Sequence, residues 1–217
     1  MALPSFLTNK KAAIFDMDGT IVHNMPFHEK AWDVFAKKHG KTLSPEDYRW
    51  MLGRKNQEIM PHFFGELTQE EIDQLTLEKE TLYQELFAKE IAEVPGLIDF
   101  LRLLKENGFK IGIGSSAPKL NRIFIFKHLP IYDYFDTVVG AEDVTYGKPH
   151  PEIFLQAATK LGVDPKSCVV FEDAPNGIEA AKKAGMYVVG LATTHQKNAL
   201  HTADTVINNF RELITTS

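Results

Sequence analysis

The chain has 217 residues, of which 44% are hydrophobic and 24% charged, and a formal net charge of −5. This composition is typical of a folded globular protein, and the length allows one large domain or a core domain with an insertion. The negative charge argues against a broad nucleic-acid-binding face, and no apolar run reaches the roughly 20 residues that span a bilayer.

The single cysteine and the N-terminal segment both favour a cytoplasmic protein. Cys168 lies in the apolar stretch SCVVFED and has no second cysteine to pair with, which predicts a buried thiol in a reducing compartment. In the N-terminal MALPSFLTNKK the lysines follow the apolar residues, the reverse of their order in a secretory signal. We therefore expect a cytoplasmic protein, and we take a monomer as the working assumption.

Six short runs typical of β-strands recur along the chain, with helical patterns between most of them. Such alternation predicts an α/β fold with a Rossmann-like, doubly wound parallel sheet and helices on both faces. Because ligands of such sheets bind beyond the carboxyl ends of the strands, motifs at strand ends are the functional candidates. The predicted strands are KAAIF (11–15), FKIGIG (109–114), TVVG (137–140), SCVVF (167–171), MYVVGL (186–191) and DTVI (204–207).

The long segment between the first two predicted strands shows helical patterns, as in FHEKAWDVFAKKHG and TQEEIDQLTLEKETLYQELFAKEI. A simple crossover connection needs far fewer residues. We therefore expect residues 22–92 to form an inserted all-helical cap above the ligand crevice. Residues 1–21 and 93–217 would then form the α/β catalytic core.

The first predicted strand ends in IFDMDGT, which places Asp16 and Asp18 two positions apart. In an extended segment the two side chains point to the same side. Two carboxylates that close stay ionised only beside a cation, unless one becomes an acid with a raised pKa. Oxygen ligands in such a crevice suit Mg²⁺ shared with a phosphate, whereas a turn or a helix cap is the alternative for an acidic residue before glycine.

The next two motifs supply hydroxyl groups and a cation. The second strand ends in GIGSS, where Ser115 and Ser116 precede a predicted helix. They can bind an anion there, although such a serine can equally be the N-cap of the helix. In YGKPHPEIF, Lys148 is held between a glycine and a proline, so its ammonium can offset the charge of a carboxylate and a phosphoryl group; a solvated surface lysine is the alternative.

A second carboxylate pair follows the fourth predicted strand. Glu172 and Asp173 stand directly after SCVVF and before the small-residue helix APNGIEAAKKAG. Such a pair predicts the other half of a metal site. In the alternative, Asp173 caps the helix and Glu172 lies on the surface.

Together these motifs resemble the haloacid dehalogenase-like hydrolases. DMDGT, GIGSS, GKPHPEIF and FEDAPNGIEAAKKAGM are similar to the four motifs of that superfamily, and the resemblance spans almost the whole chain. It implies that Asp16 is the nucleophile that becomes an aspartyl phosphate, and that Asp18 is the general acid and then the general base. It further implies that Lys148 steadies Asp16 and the phosphoryl group, and that Ser115 and the Ser116 amide bind phosphoryl oxygens.

The same resemblance implies a bound magnesium ion. Its protein ligands would be Asp16, the main-chain carbonyl of Asp18, and Asp173. Glu172 would support the metal or its water ligands.

Within the superfamily, FHEKAW and the length of the cap are similar to the β-phosphoglucomutase subfamily. There a histidine at the position of His28 helps to couple cap closure to the general acid. A cap lysine that reaches the substrate corresponds to Lys79 in LEKETLY. The alternatives are ordinary packing near the hinge for His28 and an exposed helix charge for Lys79.

The cap loop WMLGRKNQEIM departs from the mutase pattern. In mutases a lysine just before the glycine and an arginine three residues after it bind the second phosphate of the substrate; here these places hold Leu52 and Asn56. Arg54 resembles the arginine of phosphatase members, which orders the closed cap or binds the substrate. Lys55 is expected to be a surface charge.

The sequence therefore predicts a magnesium-dependent phosphatase that hydrolyses a small phosphorylated metabolite, a phosphosugar, through an aspartyl phosphate. The near alternative is a β-phosphoglucomutase that interconverts β-glucose 1-phosphate and glucose 6-phosphate. Inorganic pyrophosphatase and a non-catalytic phosphate-binding protein are further alternatives. A phospho-accepting receiver domain is disfavoured, because it is much shorter and has no helical insertion.

Overall fold

The computed structural model describes residues 3–214, and six strands of this part of the chain form one parallel sheet. The strands are β1 (Ala12–Phe15), β2 (Lys110–Gly114), β3 (Thr137–Val139), β4 (Cys168–Glu172), β5 (Tyr187–Leu191) and β6 (Thr205–Ile207). Their order across the sheet is β3-β2-β1-β4-β5-β6, so the chain starts near the middle and winds outward to both edges. The predicted doubly wound parallel sheet is confirmed, and all six predicted strands are present.

Helices fill the segments between the strands. They are α1 (Met25–Lys38), α2 (Pro45–Met51), α3 (Asn56–Phe64), α4 (Gln69–Phe87), α5 (Leu97–Glu106), α6 (Lys119–His128), α7 (Glu152–Leu161) and α8 (Pro175–Lys183). Both α2 and α4 begin with a capping box, formed by Ser44 with Asp47 and by Thr68 with Glu71. None of the helices in residues 3–214 is both long enough and apolar enough to cross a membrane.

The sheet is buried on both faces. Alternate residues of β1 point to opposite sides of the sheet, and the residues on each side are apolar. Ala13 and Phe15 belong to one apolar cluster, whereas Ala12 and Ile14 belong to a second cluster on the other face. All four residues are fully buried. This continuous apolar run is what a central parallel strand requires.

The register of the central strands aligns their carboxyl ends. Phe15, the last residue of β1, lies opposite Ile113 of β2 and Phe171 of β4. The next residue, Asp16, donates its main-chain N–H to the carbonyl of Phe171 at 3.0 Å. Asp16 and Glu172 therefore leave the sheet side by side.

Helices α1–α4 have an apolar cluster of their own, made by Trp32, Phe35, Met51, Ile59, Met60 and Ile72. The two connections between this segment and the sheet run next to each other. Val22 and Glu93 form an antiparallel bridge, and the Val94 N–H donates to the carbonyl of Ile21 at 2.9 Å. The helical segment thus leaves and rejoins the rest of the chain at one place. Residues 1–2 and 215–217, which the expected core also includes, lie outside the described residues.

Candidate active site

A cavity of about 520 Å³ lies between the carboxyl ends of the central strands and helices α1–α4. The four sequence motifs converge there, because parallel strands of one sheet end at the same edge. All ten residues that the sequence assigned to the site line this cavity: Asp16, Asp18, His28, Arg54, Lys79, Ser115, Ser116, Lys148, Glu172 and Asp173.

Three buried carboxylates meet at the floor of the cavity. Asp16, Glu172 and Asp173 each offer an oxygen atom, and these atoms all lie within 4.8 Å of one another. The ammonium of Lys148 joins two of them, at 2.5 Å from Asp16 Oδ1 and 2.7 Å from Glu172 Oε2. Three negative charges thus face one positive charge, which leaves two negative charges uncompensated.

The charge imbalance and burial shift the pKa values of two carboxyl groups in the cluster. Burial, followed by the charge of Glu172, raises the pKa of Asp16 well above its ordinary value, although Lys148 opposes the shift. Burial and the charges of Glu172 and Asp16 raise the pKa of Asp173 in the same way. A divalent cation would supply the two missing positive charges, and a set of carboxylate oxygens is what Mg²⁺ prefers. The residues therefore fit a magnesium ion.

Two glycines make room for the carboxylates. Gly19 has a φ of +79°, in the left-handed region, and a Cβ there would collide with the carboxylate of Asp173. A Cβ on Gly177, in the first turns of α8, would collide with the carboxylate of Glu172. The glycines of DMDGT and APNG thus serve the packing of the cluster as well as the chain path.

The side chain of Asp18 lies outside the carboxylate cluster. Its Oδ1 accepts a hydrogen bond from Asn24 Nδ2 at 2.6 Å and lies 3.7 Å from His28 Nε2. Burial would raise the pKa of Asp18, but His28 and the Asn24 amide hold it below its ordinary value. Both carboxylates of the DMD motif therefore face the same cavity, but only Asp16 lies among the possible side-chain ligands of a metal.

The hydroxyl of Ser115 occupies the floor of the cavity without capping a helix. Ser115 is buried, and its Oγ accepts the N–H of Ala117 at 3.1 Å. Helix α6 begins at Lys119 with Pro118 as its N-cap, so the capping alternative for the serines is wrong. The capping alternative for Asp173 is also wrong, since Ala174 occupies the N-cap of α8.

The three site residues predicted in the cap all contact other residues of the helical segment. Lys79 is only 2% exposed, which excludes the exposed-charge alternative, and its Nζ lies 2.8 Å from His28 Nδ1. Arg54 lies with its guanidinium 4.5 Å from the centre of the Trp50 ring, and its NH1 donates to Glu58 Oε2 at 3.1 Å. Arg54 therefore lines the cavity while it is paired within the helical segment.

Three side-chain hydrogen bonds join the loop between α2 and α3 to segments that follow the strands of the sheet. The donors and the main-chain carbonyls that accept are Ser116 Oγ to Gly53 (2.8 Å), Asn176 Nδ2 to Leu52 (2.8 Å) and Lys55 Nζ to Val144 (2.7 Å). The expectation of a surface charge for Lys55 is therefore incomplete, because its ammonium donates to a main-chain carbonyl outside the helical segment, that of Val144. The helical segment is therefore hydrogen-bonded to residues on the strand-end side of the cavity.

Three polar residues of the site were not expected from the sequence. Asn24 is fully buried, and its Oδ1 accepts the Gly19 N–H at 3.1 Å while its amide contacts Asp18. Glu80, next to Lys79, also lines the cavity. His195 lines the cavity with Nε2 buried and without a partner among residues 3–214, and burial lowers its pKa. His195 follows β5, so the strand-end argument applied to that strand would have found it.

The chain is similar to known proteins over most of its length. Residues 10–185 match the haloacid dehalogenase-like hydrolase family. The chain is 32% identical to a validoxylamine A 7'-phosphate phosphatase of Streptomyces hygroscopicus subsp. limoneus, over 94% of this chain and 95% of that one. It is 35% identical to a β-phosphoglucomutase of Bacillus subtilis, over 94% and 91% of the two chains.

A solved structure of a related protein has a similar fold. A β-phosphoglucomutase from Clostridium difficile superposes with a TM-score of 0.84 at 31% identity, over 94% of this chain and 93% of that one. The family match covers most of the chain, and both relatives exceed 30% identity over 94% of it. The chain therefore belongs to the haloacid dehalogenase-like hydrolases.

Proposed function

We propose that this protein is a magnesium-dependent phosphatase that hydrolyses a small phosphate monoester, with a phosphosugar as the substrate class, through an aspartyl-phosphate intermediate. The observation that carries the proposal is the cluster of Asp16, Glu172 and Asp173 with Lys148 between two of them. A buried nucleophile beside one fixed cation and a divalent-metal site is what phosphoryl transfer requires.

The metal ligands would be the carboxylates of Asp16, Glu172 and Asp173, together with the main-chain carbonyl of Asp18. The ion would neutralise the cluster and polarise the phosphoryl group. Lys148 would keep Asp16 in place while the charge of the phosphoryl group approaches it. Ser115 and the Ser116 amide would receive phosphoryl oxygens at the adjacent strand end.

In the first step, Asp16 Oδ attacks phosphorus, the ester P–O bond breaks, and the leaving oxygen takes a proton from Asp18. A phosphate dianion next to Asp18 favours its protonated form, which the substrate-free site disfavours. In the second step Asp18 takes a proton from water as the water attacks phosphorus, and the bond between Asp16 and phosphorus breaks. One carboxyl group thus serves both half-reactions.

The cap side of the cavity supports a phosphatase over a mutase. A mutase passes through a bisphosphate that must bind in two orientations, so it needs a second phosphate site opposite the nucleophile. Here the cap lining includes apolar side chains, and two of its cations are ion-paired, Lys79 with Glu80 and Arg54 with Glu58, so Arg49 is the one arginine or lysine of that lining without an ion pair among residues 3–214. The apolar residues of segment 22–92 that line the cavity are Met25, Trp32, Leu43, Pro45, Met51, Leu52 and Ile59.

We further propose that residues 22–92 act as a mobile cap on a core formed by residues 1–21 and 93–217. The paired connections at Val22 and Glu93 and the few hydrogen bonds from the loop at Leu52 and Gly53 support a hinge and a releasable contact. Closure would exclude bulk water while the phosphate ester reacts.

We also infer a cytoplasmic protein and a monomer. The buried, unpaired thiol of Cys168 supports a reducing compartment. The monomer remains a prediction, which sedimentation equilibrium of the purified protein tests.

The proposed function is tested by offering a set of phosphorylated metabolites with Mg²⁺ and measuring both free phosphate and sugar-phosphate isomers. The set includes β-glucose 1-phosphate primed with glucose 1,6-bisphosphate, and inorganic pyrophosphate. We expect free phosphate from at least one sugar or polyol monophosphate. Isomer without free phosphate would assign the mutase instead, and release from pyrophosphate alone would assign the pyrophosphatase.

Magnesium is expected to stabilise the protein more at pH 7.5 than at pH 5. Folding raises the pKa values of Asp16 and Asp173, so metal-free stability falls as pH rises above the ordinary carboxyl value of about 4. The ion removes this penalty where the carboxyls are ionised. At free Mg²⁺ of 100 times Kd the gain is about 2.7 kcal/mol, roughly 5–10 °C in Tm for a chain of this length.

Thermal melts with and without Mg²⁺ at the two pH values measure this effect. Asp173→Asn is the matched variant, because it removes one negative charge and one ligand while keeping the shape of the side chain. We expect it to raise the Tm of the metal-free protein and to reduce the magnesium shift. An equal magnesium shift in both proteins would contradict the assigned ligands.

A further inference from the structure

Helix α4 buries two adjacent charged side chains on its inner face. Lys79 and Glu80 are each 2% exposed. Burying a charge is costly unless it is paired and hydrogen-bonded, so both residues need partners inside the protein. The resemblance to known families gave Lys79 a role but gave none to Glu80.

Glu80 is satisfied from three helices. Its Oε1 accepts from Asn56 Nδ2 of α3 at 2.8 Å, and its Oε2 accepts from Asn121 Nδ2 of α6 at 2.7 Å. Both oxygens lie 3.1 Å from the ammonium of Lys79. Burial would raise the pKa of Glu80, but the charge of Lys79 and the two amides hold it below its ordinary value. Glu80 is therefore a buried anion with its partners in place.

The ammonium of Lys79 contacts both Glu80 and His28 and so connects them. Lys79 Nζ can only donate, so His28 Nδ1, at 2.8 Å, accepts, and the proton of the neutral ring resides on Nε2. That nitrogen is buried, and Asp18 Oδ1 lies 3.7 Å away. The ring is also stacked on Tyr83, with 3.8 Å between the ring centres. The nitrogen that carries the proton is thus near the carboxylate of Asp18, at a distance longer than a hydrogen bond, and has no hydrogen-bond partner among residues 3–214.

We propose that Glu80 is a positioning residue that acts through Lys79 to hold His28 in the tautomer whose Nε2–H faces Asp18. This role rests on the proposed function, in which Asp18 is the general acid and base. Because Asn121 belongs to α6 and Glu80 to α4, the arrangement is complete only while the helical segment is closed. Glu80 thereby ties the protonation geometry at Asp18 to closure.

The main test is Glu80→Gln, which keeps the shape of the side chain but removes the charge that holds Lys79. We expect kcat to fall ~10-fold or more, as for partial loss of a positioned proton-transfer group, with KM changed less than kcat. In a Lys79→Met background, adding Glu80→Gln should cause no further loss of kcat.

The matched control is Gln84→Ala. Gln84 lies one turn further along α4, and its Nε2 donates to Asn121 Oδ1 at 3.0 Å without contacting Lys79. It shares the link to α6 but not the link to the lysine. We expect its kcat to stay within about twofold of the wild type, because the substitution removes no hydrogen bond to Lys79 or Glu80.

A second readout does not depend on turnover. Long-range proton–nitrogen NMR spectra of protein with isotope-labelled histidine report the ring tautomer of His28, which is assigned with a His28→Gln variant. We expect the Nε2–H tautomer in the wild type and in Gln84→Ala, and a mixture of tautomers in Glu80→Gln. An unchanged tautomer in Glu80→Gln, or equal kcat losses in Glu80→Gln and Gln84→Ala, would overturn the proposal.

The two proposals fail separately. A wild-type protein that releases no phosphate from any ester would refute the phosphatase, whereas the tautomer measurement would still test the link from Glu80 to His28. If Glu80→Gln does not fold, Lys79→Met provides the same tautomer test, because it removes the donor to His28 Nδ1 directly. Retention of the Nε2–H tautomer in that variant would also overturn the role of Glu80.

Discussion

Replacing Asp16 with Asn is expected to abolish phosphate release, with kcat lowered by ~10⁴-fold or more, because the amide cannot form the aspartyl phosphate. Lys148 Nζ, 2.5 Å from Asp16 Oδ1, and the carboxylate of Glu172 would remain in place around the substituted side chain. Substrate binding should therefore persist without turnover.

The same substitution is expected to raise the Tm of the metal-free protein. Burial and the charge of Glu172 raise the pKa of Asp16, so its ionised form destabilises the metal-free folded state at neutral pH. Removing that charge stabilises the fold while it removes the chemistry, as is common for functional groups buried together.

Phosphate release and thermal melts of Asp16→Asn and of the wild type measure both effects. Asp133→Asn is the control, because Asp133 is exposed and lies outside the cavity lining. It should change neither quantity. Full activity of Asp16→Asn would remove the nucleophile from the proposal, and loss of activity together with a lower Tm would indicate misfolding instead.

Three groups at the floor of the site are predictable from the sequence because each directly follows a short apolar run. Asp16, Ser115 and Glu172 stand at the ends of β1, β2 and β4, and parallel strands bring those ends to one edge. Local pattern and a general rule of topology are enough to bring them together. The fold is predictable for the same reason.

The side-chain direction of Asp18 is not predictable in this way. Its spacing from Asp16 suggested that both carboxylates would share one cation. The chain leaves β1 after Phe15 and turns at Gly19, so contacts with Asn24 and His28 decide where Asp18 points. Those contacts come from a helix whose position the local pattern does not give.

The partners of Glu80 are even less predictable from the local sequence pattern. Asn56 and Asn121 are 24 and 41 positions away in the chain, on two other helices. Helical periodicity predicts which face of a helix is buried but not which helices pack against it. In the structure Glu80 belongs to the buried face of α4, whose buried residues Ile72, Thr76, Lys79, Glu80, Tyr83 and Phe87 recur at helical spacing.

Replacing Asp18 with Ala is expected to cut the turnover of a sugar phosphate by ~10² or more, the scale of losing a positioned proton donor. Magnesium binding should be largely retained, since the carboxylate of Asp18 lies outside the cluster of Asp16, Glu172 and Asp173. The magnesium-dependent rise in Tm measures that retention. Unchanged turnover would refute the role of Asp18.

The loss should depend on the leaving group. A sugar alkoxide needs a proton as the P–O bond breaks, whereas p-nitrophenolate leaves readily without one, so the first step with p-nitrophenyl phosphate should be slowed less by Asp18→Ala. The second step still lacks its base. Asp18→Ala should therefore give a burst of p-nitrophenol and a protein that has gained one phosphoryl group, detected by mass spectrometry. Equal losses for both substrates without a phosphorylated protein would mean that Asp18 does not transfer the proton, because only a proton-transfer role makes the penalty follow the basicity of the leaving oxygen.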